Sequence, residues 1–347
     1  MGNSRAELPE IMRRVAERAL DWDYSVWFWG DAIVMDGLLD ASELLGDEAL
    51  ADGVRKHVNR WVRRVQENGP SWADHMTPGS AVIRVANKDG DPAALEAARA
   101  LAGFLENGPR SRWLDAPLRH PDSPAHRNYV WIDNIYHEGT FFYRLGLETG
   151  EERYFDVGRH CLESRIAVLL HGSQTGLFAQ VADTARRRML GEGWGRGQGW
   201  ALLGLVDSLE LLPPARPEHA RIADVVRDVS TRLLPFQDST GFWRTIVQSR
   251  EAYLETSTAA FYASVFYKGV RLGVFDPEDV RRSADDAFAA LLTRIDEEGR
   301  AFGVSGVSWP DEHDPRYLLR KPTEFNAWGQ GAALRALSER LRLDSAP

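Results

Sequence analysis

The sequence predicts an all-α protein, an (α/α)6 barrel in which six helical hairpins close into a toroid, and three observations carry the prediction. Apolar residues recur at three- and four-residue intervals along nearly the whole chain. A glycine–aromatic turn returns after successive long helices, about sixty residues apart. The Trp, Asp, His and Arg residues stand out at hairpin junctions, as they do when ringed about one end of a closed structure rather than spread along an open solenoid.

The helical period runs through Gly30–Leu45, Glu48–Gln66, Ala93–Leu105, Ile135–Leu147, Arg153–Leu170, Ala201–Leu209, Ala220–Leu234, Ser257–Leu272, Pro277–Ile295 and Trp328–Leu341, and no sustained β alternation competes with it. The turns follow these helices: LLHGSQTGLF around Gly176, LLPFQDSTGFW around Gly241, LLTRIDEEGRAF around Gly299, and a weaker copy around Gly69. A helical pair cannot hide its apolar side alone, so a series of hairpins must stack on itself or close. Gly-Asp-Pro at 90–92 and the proline-rich stretch 213–217 read as breaks between helices, not as domain linkers. The expectation is one domain over 1–347 with its core at about 22–341.

The chain has 347 residues, 44% hydrophobic and 27% charged, enough to build a large core. Its single cysteine, Cys161, excludes an internal disulfide framework and supplies no cysteine cluster for zinc. The N-terminal segment has no long apolar core, so neither a signal peptide nor a membrane span is expected, and the cytoplasm is the expected compartment. Dispersed acidic residues and a net charge of −9 argue against nucleic acid as a partner. Any anionic substrate must then be held by a local positive group against the field of the whole protein.

The segment Trp194-Gly-Arg-Gly-Gln-Gly-Trp200 supplies such a group. It reads as a tight glycine-rich turn that places one guanidinium between two indoles. Arginine offers a planar fork to a carboxylate, and indole faces pack against the apolar side of a pyranose ring, so the combination suits an anionic sugar. A plain helix start, with Trp200 in the core and Arg196 at the surface, is the competing reading. The run Arg186-Arg187-Arg188 reads as a solvated loop, and the Gly195/Gly197/Gly199 spacing lacks the strand–helix–strand setting of a dinucleotide site.

Two aspartates are candidates for the chemistry. Asp133, in Tyr129-Val130-Trp131-Ile132-Asp133-Asn134-Ile135-Tyr136-His137, places a carboxylate among aromatic residues at the start of a helix. Burial raises its pKa and the helix N-terminus lowers it; if desolvation wins, Asp133 holds a proton for a sugar, and if not, it caps the helix. His137 follows one helical turn later on the same face. Asp74, in Ser71-Trp72-Ala73-Asp74-His75-Met76, offers a second carboxylate, since paired carboxylates are the ordinary equipment of glycoside hydrolysis, but it serves equally to cap a turn. Gln180 can orient water or a hydroxyl without titrating. His75 and His137 lack zinc-site spacing, and Glu255-Thr256-Ser257 resembles a helix-capping segment.

Taken in order, WID at 131–133, TGLF at 175–178, WGRGQGW at 194–200, QDSTGFW at 237–243 and YLETSTAAFYA at 253–263 resemble the unsaturated uronyl hydrolases, the unsaturated glucuronyl and rhamnogalacturonyl hydrolases among the glycoside hydrolases. The similarity runs from about Trp22 to Leu337, and that family has an (α/α)6 barrel. The resemblance implies that Asp133 donates a proton and activates water, that Asp74 is the second active-site aspartate, and that Arg196 and Trp200 hold the uronate with Trp194 supporting their turn. Trp131 and His137 join them on the substrate side. Where the family commonly has a histidine after the TGLF-like turn, this chain has Gln180, which keeps hydrogen bonding and loses titration.

The substrate so implied is a short oligosaccharide, an unsaturated uronyl disaccharide being the simplest, whose nonreducing uronate carries a C4–C5 double bond left by a polysaccharide lyase. Protonation at C4 and water addition at C5 would release 4-deoxy-5-ketouronate and a saccharide, with no metal or organic cofactor, from a monomer or a homodimer. Three rivals make different demands. A conventional inverting glycosidase attacks C1 of saturated sugars, an epimerase or isomerase conserves substrate mass, and a noncatalytic helical binding protein turns nothing over. Loops at Glu106–Arg127 and Phe302–Pro322 are expected to shape the site of the leaving sugar.

Overall fold

The computed structural model describes residues 7–24, 29–72, 79–310, 322–323 and 325–345. Among them are twelve α-helices. The first six are α1 (Leu8–Leu20), α2 (Asp31–Leu45), α3 (Glu48–Asn68), α4 (Ser80–Asp89), α5 (Pro92–Glu106) and α6 (Asn134–Thr149). The second six are α7 (Glu152–Arg165), α8 (Gly195–Leu211), α9 (Pro217–Leu233), α10 (Thr256–Arg271), α11 (Pro277–Leu292) and α12 (Ala327–Ser345). Even-numbered helices form a closed inner ring: α2 packs on α4, α4 on α6, α6 on α8, α8 on α10, α10 on α12, and α12 back on α2. Odd-numbered helices pack outside them, and the closed ring is the (α/α)6 toroid that the sequence predicts.

The two layers differ in sequence for a physical reason. An outer helix meets the ring on one side, so α3 buries Leu50, Val54, Val58, Trp61, Val62 and Val65 in a single stripe and leaves the rest to solvent. An inner helix has neighbours all round, and α8 is buried at every position except Glu210. Close packing within the ring needs small residues. At Gly204 a Cβ would lie 2.5 Å from the Cα of Tyr136, so alanine there would push α8 off α6.

Sequence periodicity missed α1 and α4 and placed the start of α8 too late. α1 is plainly amphipathic, burying Leu8, Ile11, Met12, Val15, Ala16 and Ala19 against α2 and α12. α4 is only ten residues long, follows a glycine, and is rich in β-branched residues, all of which obscure a helical period. A single π-helical turn, Ile166–Leu170, ends the helix that the sequence draws unbroken to Leu170.

The all-α expectation omits seven very short strands. β1 (Tyr129–Trp131), β2 (Val181–Asp183) and β3 (Arg188–Leu190) form an antiparallel sheet in chain order. β4 (Trp243–Arg244) pairs with β5 (Leu254–Glu255), and β6 (Val304–Ser305) with β7 (Pro322–Thr323). Strands of two or three residues are too short to show alternation in sequence. Each ladder lies in a connection that leads into an inner helix, so the strands stiffen one end of the barrel. Of the repeated turns, Gly176, Gly241 and Gly299 lie on these connections and Gly69 on the one from α3 to α4, and all four have positive φ, between 70° and 90°. Among the described residues, no helix is long and apolar enough to cross a membrane.

Candidate active site

Pairing of β1 with β2 builds the first half of the site. Trp131 faces Val181 in register, and the next residue, Ile132, donates its N–H to the carbonyl of Gln180 at 3.0 Å. Asp133, two residues past β1, and Gln180, one before β2, are therefore brought close together. Asp133 occupies the N-cap position of α6, but its side chain accepts no capping hydrogen bond, so the bland explanation for this residue is not realised. The residue is only 8% exposed. Burial pushes its pKa up from the ordinary carboxylate value to about 6, against the opposing pull of a backbone N–H and of the Arg196 guanidinium.

WGRGQGW supplies the second half. It is the beginning of α8 itself, with Trp194 as N-cap, rather than a free turn, and the helix starts six residues before the sequence-predicted Ala201. Gly195 permits this start, because a Cβ there would lie 2.6 Å from the carbonyl oxygen of Arg244. Trp200 is core, as in the plain helix-start reading, but Arg196 is 1% exposed and not at the surface. Its guanidinium lies over the ring of Trp194 at 4.9 Å and donates to the carbonyls of Ser305 at 2.7 Å and Gly306 at 2.9 Å, and to the Ser305 hydroxyl. Ser305 is held in turn: its N–H donates to Glu255 at 2.7 Å, and Trp328 donates to its carbonyl at 3.1 Å. Glu255 also caps α10 by accepting from Thr258 N–H, which is the capping role its sequence context suggests.

These pieces line one cavity of about 250 Å³. Asp133, Gln180, Trp131, Trp194 and Arg196 all face it, so five of the residues singled out in the sequence converge. Trp200 and His137 stand one layer behind. Trp200 packs against Trp29, Tyr136, His137 and Phe261, and fixes the floor on which the lining rests. Asp74 lies outside the described residues. Arg186 and Arg187 lie in the exposed turn between β2 and β3 and Arg188 opens β3, with Arg186 held by Asp183.

Seven further residues complete the lining, and four of them bring rings that no sequence motif marks: Trp29, His120, His126 and Trp309. The last three lie on the two loops expected to shape the leaving-sugar site. His126 stacks on Trp309 with ring centroids 5.2 Å apart and planes 16° apart, and both His120 and His126 approach the edge of Trp131. Burial, with His126 nearby, pushes His120 down to about 4, and burial lowers His126 as well. Both imidazoles are therefore neutral at pH 7 and present a mostly aromatic wall.

The cavity also collects helix N-termini. Trp29 precedes α2, Asp133 and Trp194 cap α6 and α8, Glu255 caps α10, and Trp328 in the first turn of α12 packs on Trp29 at 4.8 Å. Each N-terminus adds partial positive charge, which makes this end of an otherwise acidic protein hospitable to an anion.

Comparison with known proteins gives a consistent picture. The model for Glycosyl Hydrolase Family 88 matches residues 5–344. The unsaturated rhamnogalacturonyl hydrolase YesR of Bacillus subtilis is 26% identical over 343 residues, which span 97% of this chain and 95% of the relative. An unsaturated 3S-rhamnoglycuronyl hydrolase of Formosa agariphila is 31% identical over 270 residues, 70% of this chain and 68% of the relative. A solved structure described as a possible member of the GH105 family, from Salmonella enterica serovar Paratyphi A, superposes with a TM-score of 0.86. It covers 99% of this chain and 95% of that one at 20% identity, a likeness of fold.

Proposed function

Because the chain belongs to Glycosyl Hydrolase Family 88 and is a hydrolase of the unsaturated uronyl type, we propose that Asp133 is the proton donor of the reaction and Arg196 the anchor for the substrate carboxylate. Protonated Asp133 delivers its proton to C4 of the C4–C5 enol ether, and positive charge develops at C5. The carboxylate left behind takes a proton from water, which adds at C5. The resulting hemiketal opens to 4-deoxy-5-ketouronate and the leaving saccharide. Gln180 orients water or a hydroxyl beside Asp133, and Trp131 and Trp194 wall the ring. The single observation that carries this reading is a buried, uncapping carboxyl pushed up to about 6 in the same cavity as a clamped guanidinium.

The names of the Bacillus and Formosa relatives both join a rhamnosyl to a uronyl unit, so an unsaturated uronyl–rhamnose disaccharide is the first substrate to try. Incubation with it bleaches the enol-ether absorbance, while the saturated disaccharide stays intact. Cleavage of the saturated compound at a comparable rate would transfer the protein to the conventional inverting glycosidases.

The acid role fixes a pH profile. Asp133 must carry its proton in the free enzyme, so kcat/KM falls about tenfold per pH unit above about 6. A bound uronate carboxylate neutralises Arg196, which otherwise lowers the Asp133 pKa, and the alkaline limb of kcat therefore lies at higher pH than that of kcat/KM. Steady-state kinetics from pH 5 to 9 would check the order of the two limbs; the reverse order contradicts the assignment of Arg196.

Replacing Arg196 with Gln removes charge-assisted bonding to the carboxylate, an interaction of about 1.5–3 kcal/mol, and lowers kcat/KM by roughly 10- to 100-fold. Inhibition by a saturated uronate should weaken in parallel. Unchanged inhibition would remove Arg196 from the binding role.

A further inference from the structure

A second cavity, also of about 250 Å³, lies toward the opposite end of the barrel, and all six inner helices contribute to its lining. Where the active-site cavity is aromatic and sits at helix N-termini, this one is charged and sits among the C-terminal halves of α6, α8 and α10. Acidic and basic residues are present in equal number on the lining, five of each.

Four of the five cations are matched. Arg84 meets Asp40 and Glu43, each at 3.0 Å, and Lys268 meets Asp207 at 2.5 Å and Glu210 at 2.6 Å. Arg335 is held by Asp207 at 2.7 Å, and Arg342 by Asp40 at 3.1 Å. Arg144 is the exception. Among the described residues it makes no hydrogen bond or ion pair, and its Nε is buried with no partner. Burial and the neighbouring Arg84 push its pKa below the usual guanidinium value, against the opposing pull of Asp36, Asp207 and Asp40.

We propose that this cavity is a second ligand site, which takes a small monovalent carboxylate or oxyanion on the Arg144 guanidinium. The planar fork of Arg144 matches an anion that presents two oxygens side by side. A monoanion is favoured over a dianion because Asp36, Asp40 and Asp207 face the same space, and a second negative charge would meet them uncompensated. Thr140 and Ser80, the hydroxyls on the lining, already donate to the Tyr136 carbonyl and to Asp36, which leaves Arg144 as the group that selects the ligand.

Formate is the probe, and thermal unfolding of the full chain is the readout, with potassium chloride at matched ionic strength as the control. Wild type should show a saturable rise in Tm with formate that chloride does not reproduce, reaching several degrees at about 100 times the dissociation constant. Arg144→Gln should be at least as stable as wild type without formate, because it loses an unpaired, half-buried charge, and should not respond to formate. Arg196→Gln, which removes the carboxylate anchor of the active site, should keep the full response, which separates this site from the active site. Three results would overturn the proposal: equal shifts in formate and chloride, a formate response retained by Arg144→Gln, or a large loss of stability in Arg144→Gln without any anion present. Should Arg144→Gln fail to fold, Arg144→Met and calorimetric titration of formate into wild type decide; no saturable heat in wild type also rejects the site.

Discussion

Asp133→Asn should lower turnover by about 10²- to 10⁴-fold, the range for loss of a general acid–base group, and at neutral pH it should make the protein more stable. The two changes share one cause. In the folded chain the Asp133 carboxyl titrates near 6, whereas in the unfolded chain it titrates near the ordinary value. Between about pH 4 and 6 the folded state keeps a proton that the unfolded state has lost, so stability falls as pH rises through that window. Above 6 the penalty is complete, on the order of 2–3 kcal/mol, and below about 4 it is absent. Asparagine carries no charge to bury, so the variant gains that amount at pH 7.5 and nothing at pH 4. Urea unfolding of both proteins at several pH values reads the difference directly. A variant that loses turnover together with stability at pH 7.5 would place the defect in folding and undo the acid assignment.

How much of this site was readable follows from where each residue sits. Asp133, Trp131 and Gln180 lie at the ends of β1 and β2, and Arg196 and Trp194 lie at the start of α8, so each belongs to a compact run whose residue types announce a purpose. Their convergence could not be read locally. It comes from a β1–β2 register of three residue pairs, too short to leave a pattern, and from closure of a ring whose ends, α2 and α12, are nearly three hundred residues apart. Trp29 enters the cavity by that closure, and nothing beside it in sequence marks it as lining. The start of α8 is hidden in the sequence for the converse reason. Gly195, Gly197 and Gly199 look like a flexible turn, but they are glycine because Arg244, Trp194 and Phe261 leave no room for a Cβ. Crowding and flexibility demand the same residue, and sequence alone does not separate them.

The other large effect lies behind the site wall and concerns Glu138, which no sequence motif marks. Five residues beyond Asp133 on α6, it is fully buried and receives two arginines: Arg119 at 2.7 and 2.6 Å from its Nε and Nη2, and Arg165 at 2.8 Å. Arg119 comes from the connection that carries His120, and Arg165 closes α7, so the triad ties the aromatic wall of the cavity to α6 and to the outer layer. Glu138→Ala leaves two guanidiniums in the interior with no countercharge and should cost about 3–5 kcal/mol, visible as a lower urea midpoint. Because the wall is anchored through Arg119, KM should rise even at temperatures where the variant is folded, while the pH limb set by Asp133 stays in place. Replacing all three charged residues by apolar ones of similar volume should recover most of the lost stability, since burial of each charge is costly and only their pairing offsets it. KM should stay raised in that triple variant, since the hydrogen bond from Arg119 to the Leu105 carbonyl goes with the guanidinium. Recovery of stability without recovery of KM would assign the triad to positioning the wall; recovery of both would leave it a packing element alone.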